Sequence, residues 1–466
     1  MPNKFLICLF LFSSASSQKI SSIEISGNKN FSTQKISSLF RIQTNDFSSK
    51  EKLEENINSI LSFYENNGYP FAIITIDSIV EIDSSLKIFI SIDEGTIVYV
   101  ENFLISESLR TKKEVIFRGI KYKKGEIYNQ SKVEKIPKRL RKLEIFSNIS
   151  DPKFLMTKDG GVLQIDLIEN NFTYVEGLLG FSQNKKKENV LFGKLDFSHK
   201  NLFGTGRSFF FHFEKENNLT QEIAIKYIEP YIFQFPLHLE TNLKQKIQDS
   251  IFTKNIFGIG IVSEINDEIS LKIGLKKSEA ILKNKFTNNI LETEFNSKFD
   301  YRDDFLFPKN GFSFEIGGSF GKKKELNTSM KKVFFELKNY IGKSEKEVFF
   351  SNIRGSEILS DSLDTSDLIY IGGASTMRGA RENEFVCDKF LLLNLEYQIY
   401  FSNASYIFPF FDIIYFENKN ESEKIFSYGI GTQFQTPIGI FFTSLAFRKN
   451  LNFENGKIHF GIKNNL

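Results

Sequence analysis

The stretch LLLNLEYQIYF, Leu391 to Phe401, places Leu391, Leu393, Leu395, Tyr397, Ile399 and Phe401 at odd positions and Asn394, Glu396 and Gln398 at even ones. Successive side chains of a strand point to opposite faces, so this segment forms a strand with one apolar and one polar face. The same split sets Phe209, Phe211 and Phe213 against Ser208, His212 and Glu214, and Ile223, Ile225 and Tyr227 against Glu222 and Lys226. A water-soluble sandwich would bury the apolar face against a second sheet. An outer-membrane barrel would turn it to lipid and keep the polar face in a wet lumen. Alternation alone leaves both open.

Counting separates them. Beyond Asn171 helical periodicity is absent, and the 295 residues that follow accommodate about 16 strands at about 18 residues per strand and connection. Strands of ~9–11 residues cross a bilayer at a tilt, with short turns on one side and longer loops on the other. The even connections, such as Asn201–Gly206, Glu229–Pro236, Asp303–Gly311 and Thr436–Gly439, are compact and turn-like, whereas the longest, Ser360 to Asp388, is odd. With both chain ends on the periplasmic side, that insertion falls outside, as a barrel requires. The expected architecture is all-β, a 16-stranded transmembrane β-barrel over residues 171–466.

Composition agrees. The 466 residues are 41% hydrophobic and 25% charged, and include 52 Phe, 16 Tyr and no Trp. That profile excludes disorder and collagen, and after the first few residues no apolar run approaches the ~20 residues of a spanning helix. The net charge of +3 is too balanced to favour nucleic acid as a partner. Residues 1–17 read as a signal peptide: Lys4, the apolar stretch Phe5 to Phe12, then small residues with Ala15 and Ser17 placed for cleavage before Gln18. Cleavage would remove Cys8 and leave Cys387 without an internal disulfide partner.

Between the leader and the barrel, residues 18–95 and 96–170 read as two α+β units of order βααββ. In the first, strand Ile20–Ser26 precedes a helix whose Leu53, Ile57, Ile60, Leu61 and Tyr64 share one face. Gly68 ends that helix, and the runs Phe71–Ile79 and Leu86–Ile92 follow as half-buried strands. The second unit repeats the order with strand Val98–Ile105, helical text at Lys113–Ile120, and a helix carrying Val133, Ile136, Leu140 and Leu143. Pro137 should start or kink that helix. Phe146–Ile149 and Val162–Ile168 supply the closing strands.

Tyr64–Gly95 and Arg139–Asn170 both resemble the second half of POTRA domains, and IGGASTMRGARENEF, Ile371 to Phe385, resembles the inward-folded sixth loop of BamA/TamA-type outer-membrane assembly factors, with Gly372, Gly373, Arg378 and Gly379 as the matching motif. Ala380 departs from the family, which usually has an aromatic there. NLFGTG (201–206), YIEPYIF (227–233) and RDDFLFPKNG (302–311) resemble further family signatures. The resemblance implies two periplasmic POTRA domains before a surface-antigen barrel in the bacterial outer membrane. It also implies that Glu396 and Asp412 are lumen carboxylates holding Arg378. A guanidinium suits that role because its planar fork matches carboxylates, and a buried Arg needs such partners.

The resemblance further implies that the last strand, Lys457–Leu466, closes against the first, Phe172–Phe181, at a seam that parts laterally; Gly177, Gly180 and Gly461 would weaken side-chain contacts there. The implied activity is non-enzymatic insertion of unfolded outer-membrane protein clients, with outer-membrane lipids and periplasmic or accessory assembly proteins as partners. POTRA domains are implied to bind extended clients by strand addition, which needs only main-chain groups. No nucleophile elbow, phosphate loop, paired-His helix or Cys cluster is present, and neither cofactor nor metal is expected. His199, His212, His238 and His459 are scattered, and the paired Asp303 and Asp304 sit in a turn. The rivals are a two-partner secretion pore, whose N-terminal plug helix has no room between leader and first strand, and a passive porin, which would not need two periplasmic modules.

Overall fold

The computed structural model describes residues 19–40, 50–82, 85–106, 109–158, 160–183, 189–215, 220–248, 251–283, 286–305, 307–402, 404–418, 421–436, 439–448 and 456–463. The expected leader, residues 1–17, and the chain end at Leu466 lie outside them. The chain forms two compact units. Of the described residues, one takes in those up to Leu109, Ile116–Leu140 and Asn148–Ile168, and the other Arg110–Val115, Arg141–Ser147 and those from Glu169 onward.

The N-terminal third runs β1 (Lys19–Ser26), α1 (Thr33–Ser37), α2 (Lys50–Asn66), β2 (Ile73–Ile82), β3 (Ser85–Asp93), β4 (Tyr99–Ile105), α3 (Lys113–Ile120), β5 (Glu126–Ile127), α4 (Gln130–Glu134), α5 (Ile136–Lys142), β6 (Phe146–Ile149), β7 (Lys153–Thr157), β8 (Gly160–Ile165) and β9 (Leu167–Glu169). The first sheet is ordered β1-β3-β2 and the second β5-β4-β8-β7. In each, the opening strand pairs parallel with the last, which pairs antiparallel with the strand before it. Both opening strands also slip register at their second residue, between Ile20 and Ser22 and between Val100 and Asn102. A shared strand order and a shared bulge make the two N-terminal α+β modules structural repeats.

The apolar face of α2 lies on the first sheet. Leu53, Ile57, Ile60 and Tyr64 are buried with Ile88, Ile90 and Ile92 of β3, and Leu61 packs at the margin. Each such side chain contributes ~1.5–3 kcal/mol on leaving water. A buried carboxylate closes both repeats. Glu94 accepts from the Asn30 backbone amide at 3.0 and 3.1 Å and from the Tyr64 hydroxyl at 2.9 Å. Glu169 accepts from the amides of Arg110 at 3.0 Å and Thr111 at 2.7 Å. Asn30 and Arg110 each lie three residues before a helix start, so each acid fixes how the chain enters its helices. The second repeat's later helix differs from a single continuous one: it breaks at Lys135, and Pro137 is the second residue of α5, where it forfeits no intrahelical bond.

The second unit is one antiparallel sheet of 16 strands: β10 (Thr173–Gln183), β11 (Asn189–Leu202), β12 (Arg207–Lys215), β13 (Gln221–Glu229), β14 (Leu237–Gln248), β15 (Phe252–Glu264), β16 (Ile269–Leu282), β17 (Thr287–Asp300), β18 (Gly311–Lys323), β19 (Thr328–Gly342), β20 (Glu347–Ser360), then β23 (Lys389–Tyr400), β24 (Tyr406–Asn418), β25 (Glu421–Thr436), β26 (Gly439–Phe447) and β27 (Lys457–Lys463). The short ribbon of β21 (Ile369–Ile371) and β22 (Phe385–Cys387) interrupts it within the longest connection. This is a 16-stranded β-barrel preceded by two α+β repeats. Among the described residues each strand of this sheet ladders to the next of the sheet in chain order, and none joins β27 to β10.

The outward stripe is apolar and bare. Ile273, Leu291, Phe295, Phe320, Leu391, Ile430 and Phe460 are exposed, whereas Leu392, Asn394 and Gln398 on the other face of β23 are buried. Apolar stripes of this extent are unstable against water and suit hydrocarbon. No helix among the described residues is long and apolar enough to cross a membrane, which says nothing of the strands.

Candidate functional site

Two strand parities and one loop build the site. On β24 the even residues Phe408, Phe410, Asp412, Ile414 and Phe416 are buried, while Ile407, Phe411 and Tyr415 are exposed. On β23 the inward parity carries Asn394, Glu396 and Gln398. Asn394 pairs with Asp412 and Glu396 with Phe410, and the ladder then skips to Ile399 opposite Ile407. The gap coincides with Pro409, which has no N–H to offer.

The loop from Ser360 to Asp388 turns back over these strands. Its ribbon pairs Ile369 with Cys387 and Ile371 with Phe385, so the segment 372–384 is held as a tip. Gly372 sits at φ +137°, and a Cβ there would stand 2.3 Å from the Arg381 carbonyl oxygen. Gly379 sits at φ +82°, a left-handed conformation that costs a residue with a Cβ ~1–2 kcal/mol. Met377 and Ala380 are fully buried with Leu392, Ile414, Phe385 and Phe416. Ala380 is therefore a small residue inside a packed cluster.

Arg378 reaches the strand carboxylates from this tip. Its Nε donates to Asp412 Oδ2 at 2.9 Å and its Nη2 to Asp412 Oδ1 at 2.6 Å, while Nη1 donates to Glu396 Oε1 at 2.6 Å. The Arg378 amide also donates to Asp412 Oδ2 at 3.2 Å. The other Glu396 oxygen accepts from Gln398 Nε2 at 2.8 Å. The guanidinium lies 3.8 Å from the Phe410 ring centroid, and only 9% of the Arg378 side chain is exposed. One cation thus meets two carboxylates and an aromatic face in a nearly dry place, where charge-assisted bonds are strong and an unpaired charge is costly.

Further contacts extend the site beyond the motif residues. Asn394 Nδ2 donates to the Thr376 carbonyl at 2.9 Å, and the Gly379 amide donates to His459 Nε2 at 2.9 Å. The second contact ties the loop tip to β27, the sixteenth strand. Phe410 and Asn394 share the parities of Asp412 and Glu396, and parity is the signal by which a sequence could flag them; nothing local flags His459. Glu384, nearer the loop's end, meets Arg448 at 2.7 Å and Lys457 at 3.3 Å. Burial raises its pKa, but the Arg381 amide and Arg448 outweigh that and hold it below the usual carboxylate range.

The seam glycines do not form one cluster. Gly177 pairs with Leu195 and Gly180 with Phe192, both toward β11, and Gly461 pairs with Phe442 of β26. A Cβ on Gly461 would stand 2.5 Å from the Phe442 ring, so this glycine makes room for an aromatic on its paired neighbour. Asp303 is occupied by the amides of Lys309 and Asn310 at 3.0 and 3.1 Å, and Asp304 by that of Phe307 at 3.1 Å, so both acids cap their own turn.

A family model described as the Omp85 superfamily domain matches residues 201–465, more than half of the chain, and one described as POTRA, surface antigen variable number repeat, matches residues 18–95. The chain belongs to the Omp85 superfamily. Within that superfamily it is 28% identical over 219 residues to the outer membrane protein assembly factor BamA of Buchnera aphidicola subsp. Acyrthosiphon pisum. The match covers 46% of this chain and 34% of the relative, so the chain spans about a third of that protein's length. Among solved structures, BamA from Haemophilus ducreyi lacking POTRA domains 1–3 matches with a TM-score of 0.53 at 17% identity, covering 95% of this chain and 98% of that one. CdiB from Acinetobacter baumannii matches with a TM-score of 0.57 at 12% identity, covering 97% and 90%. At these identities the structures share a fold with this Omp85 chain and no more.

Proposed function

We propose that this Omp85 chain is an assembly factor that guides client β-barrel proteins into the outer membrane, with residues 18–170 in the periplasm. The observation that carries the reading is the sequence match to a relative named as an outer membrane protein assembly factor. The expected mechanism needs neither nucleotide nor metal. An unpaired client strand in hydrocarbon carries bare amides at several kcal/mol each, and an edge that pairs with them lowers the barrier to insertion. In the periplasmic part, β2 and β7 are outer strands of their sheets, with Ile73, Val80, Ile82, Leu155 and Met156 exposed along them. They offer clients both main-chain groups and apolar contact.

In the barrel, Arg378 and its two carboxylates would hold the loop against β23 and β24, and the Gly379 contact with His459 would hold β27 to the same loop. Gly177, Gly180 and Gly461 flank the strands where lateral opening would occur. A loop folded into the lumen argues against a passive porin, whose lumen must stay open.

A protein-secretion pore remains the rival, because CdiB matches as much of this chain as BamA does. Depletion of the protein separates the readings. Broad loss of outer-membrane barrels is the expected result. Loss of one secreted protein with barrels intact would replace insertion by secretion, and a permeability change alone would favour the porin.

A further inference from the structure

We propose that the sixth loop is anchored twice, and that its second anchor is a buried ion cluster on Lys323, Asp364 and Asp367 joining the loop's ascending limb to strands other than those that hold Arg378. Lys323, the last residue of β18, is fully buried and donates to the Asp367 carboxylate and the Ser362 carbonyl. Asp364 lies 3.6 Å from the same ammonium and accepts from Asn288 Nδ2 of β17 at 2.7 Å. Lys254 of β15 donates to the Ser366 carbonyl at 2.5 Å and stands 4.0 Å from Asp367. Two lysines from the wall thus meet two aspartates from the loop.

The limb organises its own acids for this. The Asp364 amide donates to Asp367 at 3.2 Å, and Ser366 donates to Asp364 through its amide at 2.8 Å and its hydroxyl at 2.6 Å. An apolar patch backs the ions: Leu363 and Ile369 pack on Ile290 of β17, Met330 of β19 and Ile358 of β20. The tip has its own cation, Arg378, and a patch around Met377 and Ala380 that Ile369 joins to the first. Each end of the loop therefore carries a charge lock beside a small apolar core. The first, with its patch, sits on the sixth and the eighth to eleventh strands of the sheet, and the other on the twelfth to sixteenth.

Buried charges leave such a place only at high cost, so each lock resists displacement by itself. A segment fixed to different strands of the wall is a brace: it holds the intervening ribbon across the lumen and stays in place when one end is released. This holds whether the barrel inserts or exports clients, because it concerns only what keeps the loop in position.

The chain contains no Trp, so a single introduced indole reports its own site. Thr365→Trp marks the limb and Ser375→Trp the tip, both at exposed positions. In the full-length protein, Lys323→Met is expected to raise acrylamide quenching of the limb reporter at least twofold and leave the tip reporter unchanged. Arg378→Ala is expected to do the reverse. Heat-modifiable gel mobility checks that the barrel is folded. Should Lys323→Met not fold, Asp364→Asn, which keeps Asp367 in place, is expected to give a smaller rise at the limb alone. A limb reporter unmoved by the variant that folds, or both reporters moving together with either substitution, would overturn the proposal.

Discussion

The Arg378 guanidinium and the Asp412 carboxylate meet edge to edge through two parallel bonds, at 2.9 and 2.6 Å, with Asp412 wholly inaccessible to water. Truncating one partner of a buried pair strands the other charge, at ~3–5 kcal/mol. Arg378→Ala should therefore leave the chain exported and lower its heat-resistant, folded fraction in a gel-mobility assay. Arg378→Lys keeps the charge but cannot reach both Asp412 oxygens and Glu396 in one plane, so it should fall between wild type and alanine. Unaltered heat resistance in both variants would dismiss the lock.

His459 accepts from the Gly379 amide through Nε2, which requires that nitrogen to carry a lone pair. Replacing it by Phe removes the acceptor and leaves a buried amide unpaired, a loss of ~1–3 kcal/mol. Hydrogen exchange should then quicken at Gly379 and along Lys457–Lys463 together, because one bond joins them. His459→Gln, whose side-chain oxygen can accept, should restore part of the protection. Faster exchange confined to the loop would mean that β27 is held by other contacts.

Much of this was legible from residue order, and the limits are physical. Period-two alternation in Leu391–Phe401 is enough to put Glu396 on the polar face, because a strand offers side chains only two directions. The helical spacing of Leu53, Ile57, Ile60 and Tyr64 likewise locates a buried face. Contacts across the barrel are another matter. His459 meets Gly379, and Lys323 meets Asp367, across 80 and 44 positions of chain. Which inward residue a loop touches depends on where it crosses the lumen, and no local pattern encodes that. Pro137 marked the broken helix because a missing N–H is a local fact. At Gly461 the absent side chain does not say in sequence that the Phe442 ring of the paired strand fills its space.

Glu169 gives the second repeat a pH dependence with a definite sign. Burial raises its pKa, but bonds from the Thr111 hydroxyl and the amides of Arg110 and Thr111 outweigh that and hold it below the ordinary glutamate value. A carboxyl depressed in the folded state stabilises the fold above its unfolded pKa, and that share is lost as pH falls through the folded value. Stability should thus be flat at neutral pH and decline below about 4.3, the ordinary glutamate value. Glu169→Gln should remove part of the decline and cost ~1–3 kcal/mol at pH 7, read by urea unfolding at each pH. A variant that keeps the full acid slope would place its source elsewhere.

Gly177 and Gly461 separate two meanings of glycine near a barrel seam. At Gly461 a methyl would stand 2.5 Å from the Phe442 ring, so Gly461→Ala must displace that ring, at ~1–3 kcal/mol. At Gly177 the nearest atom is Leu195 Cδ1 at 3.6 Å, an ordinary contact, so Gly177→Ala should be neutral or stabilise by ~0.4–1 kcal/mol through the unfolded chain. Adding Phe442→Ala to Gly461→Ala removes the clash, and the pair should recover the heat resistance that the methyl itself costs. If both single alanines fold normally yet impair client assembly, thin contacts at the seam matter for function. If only Gly461→Ala is impaired and the double variant recovers, the requirement is for the aromatic packing of β26 on β27.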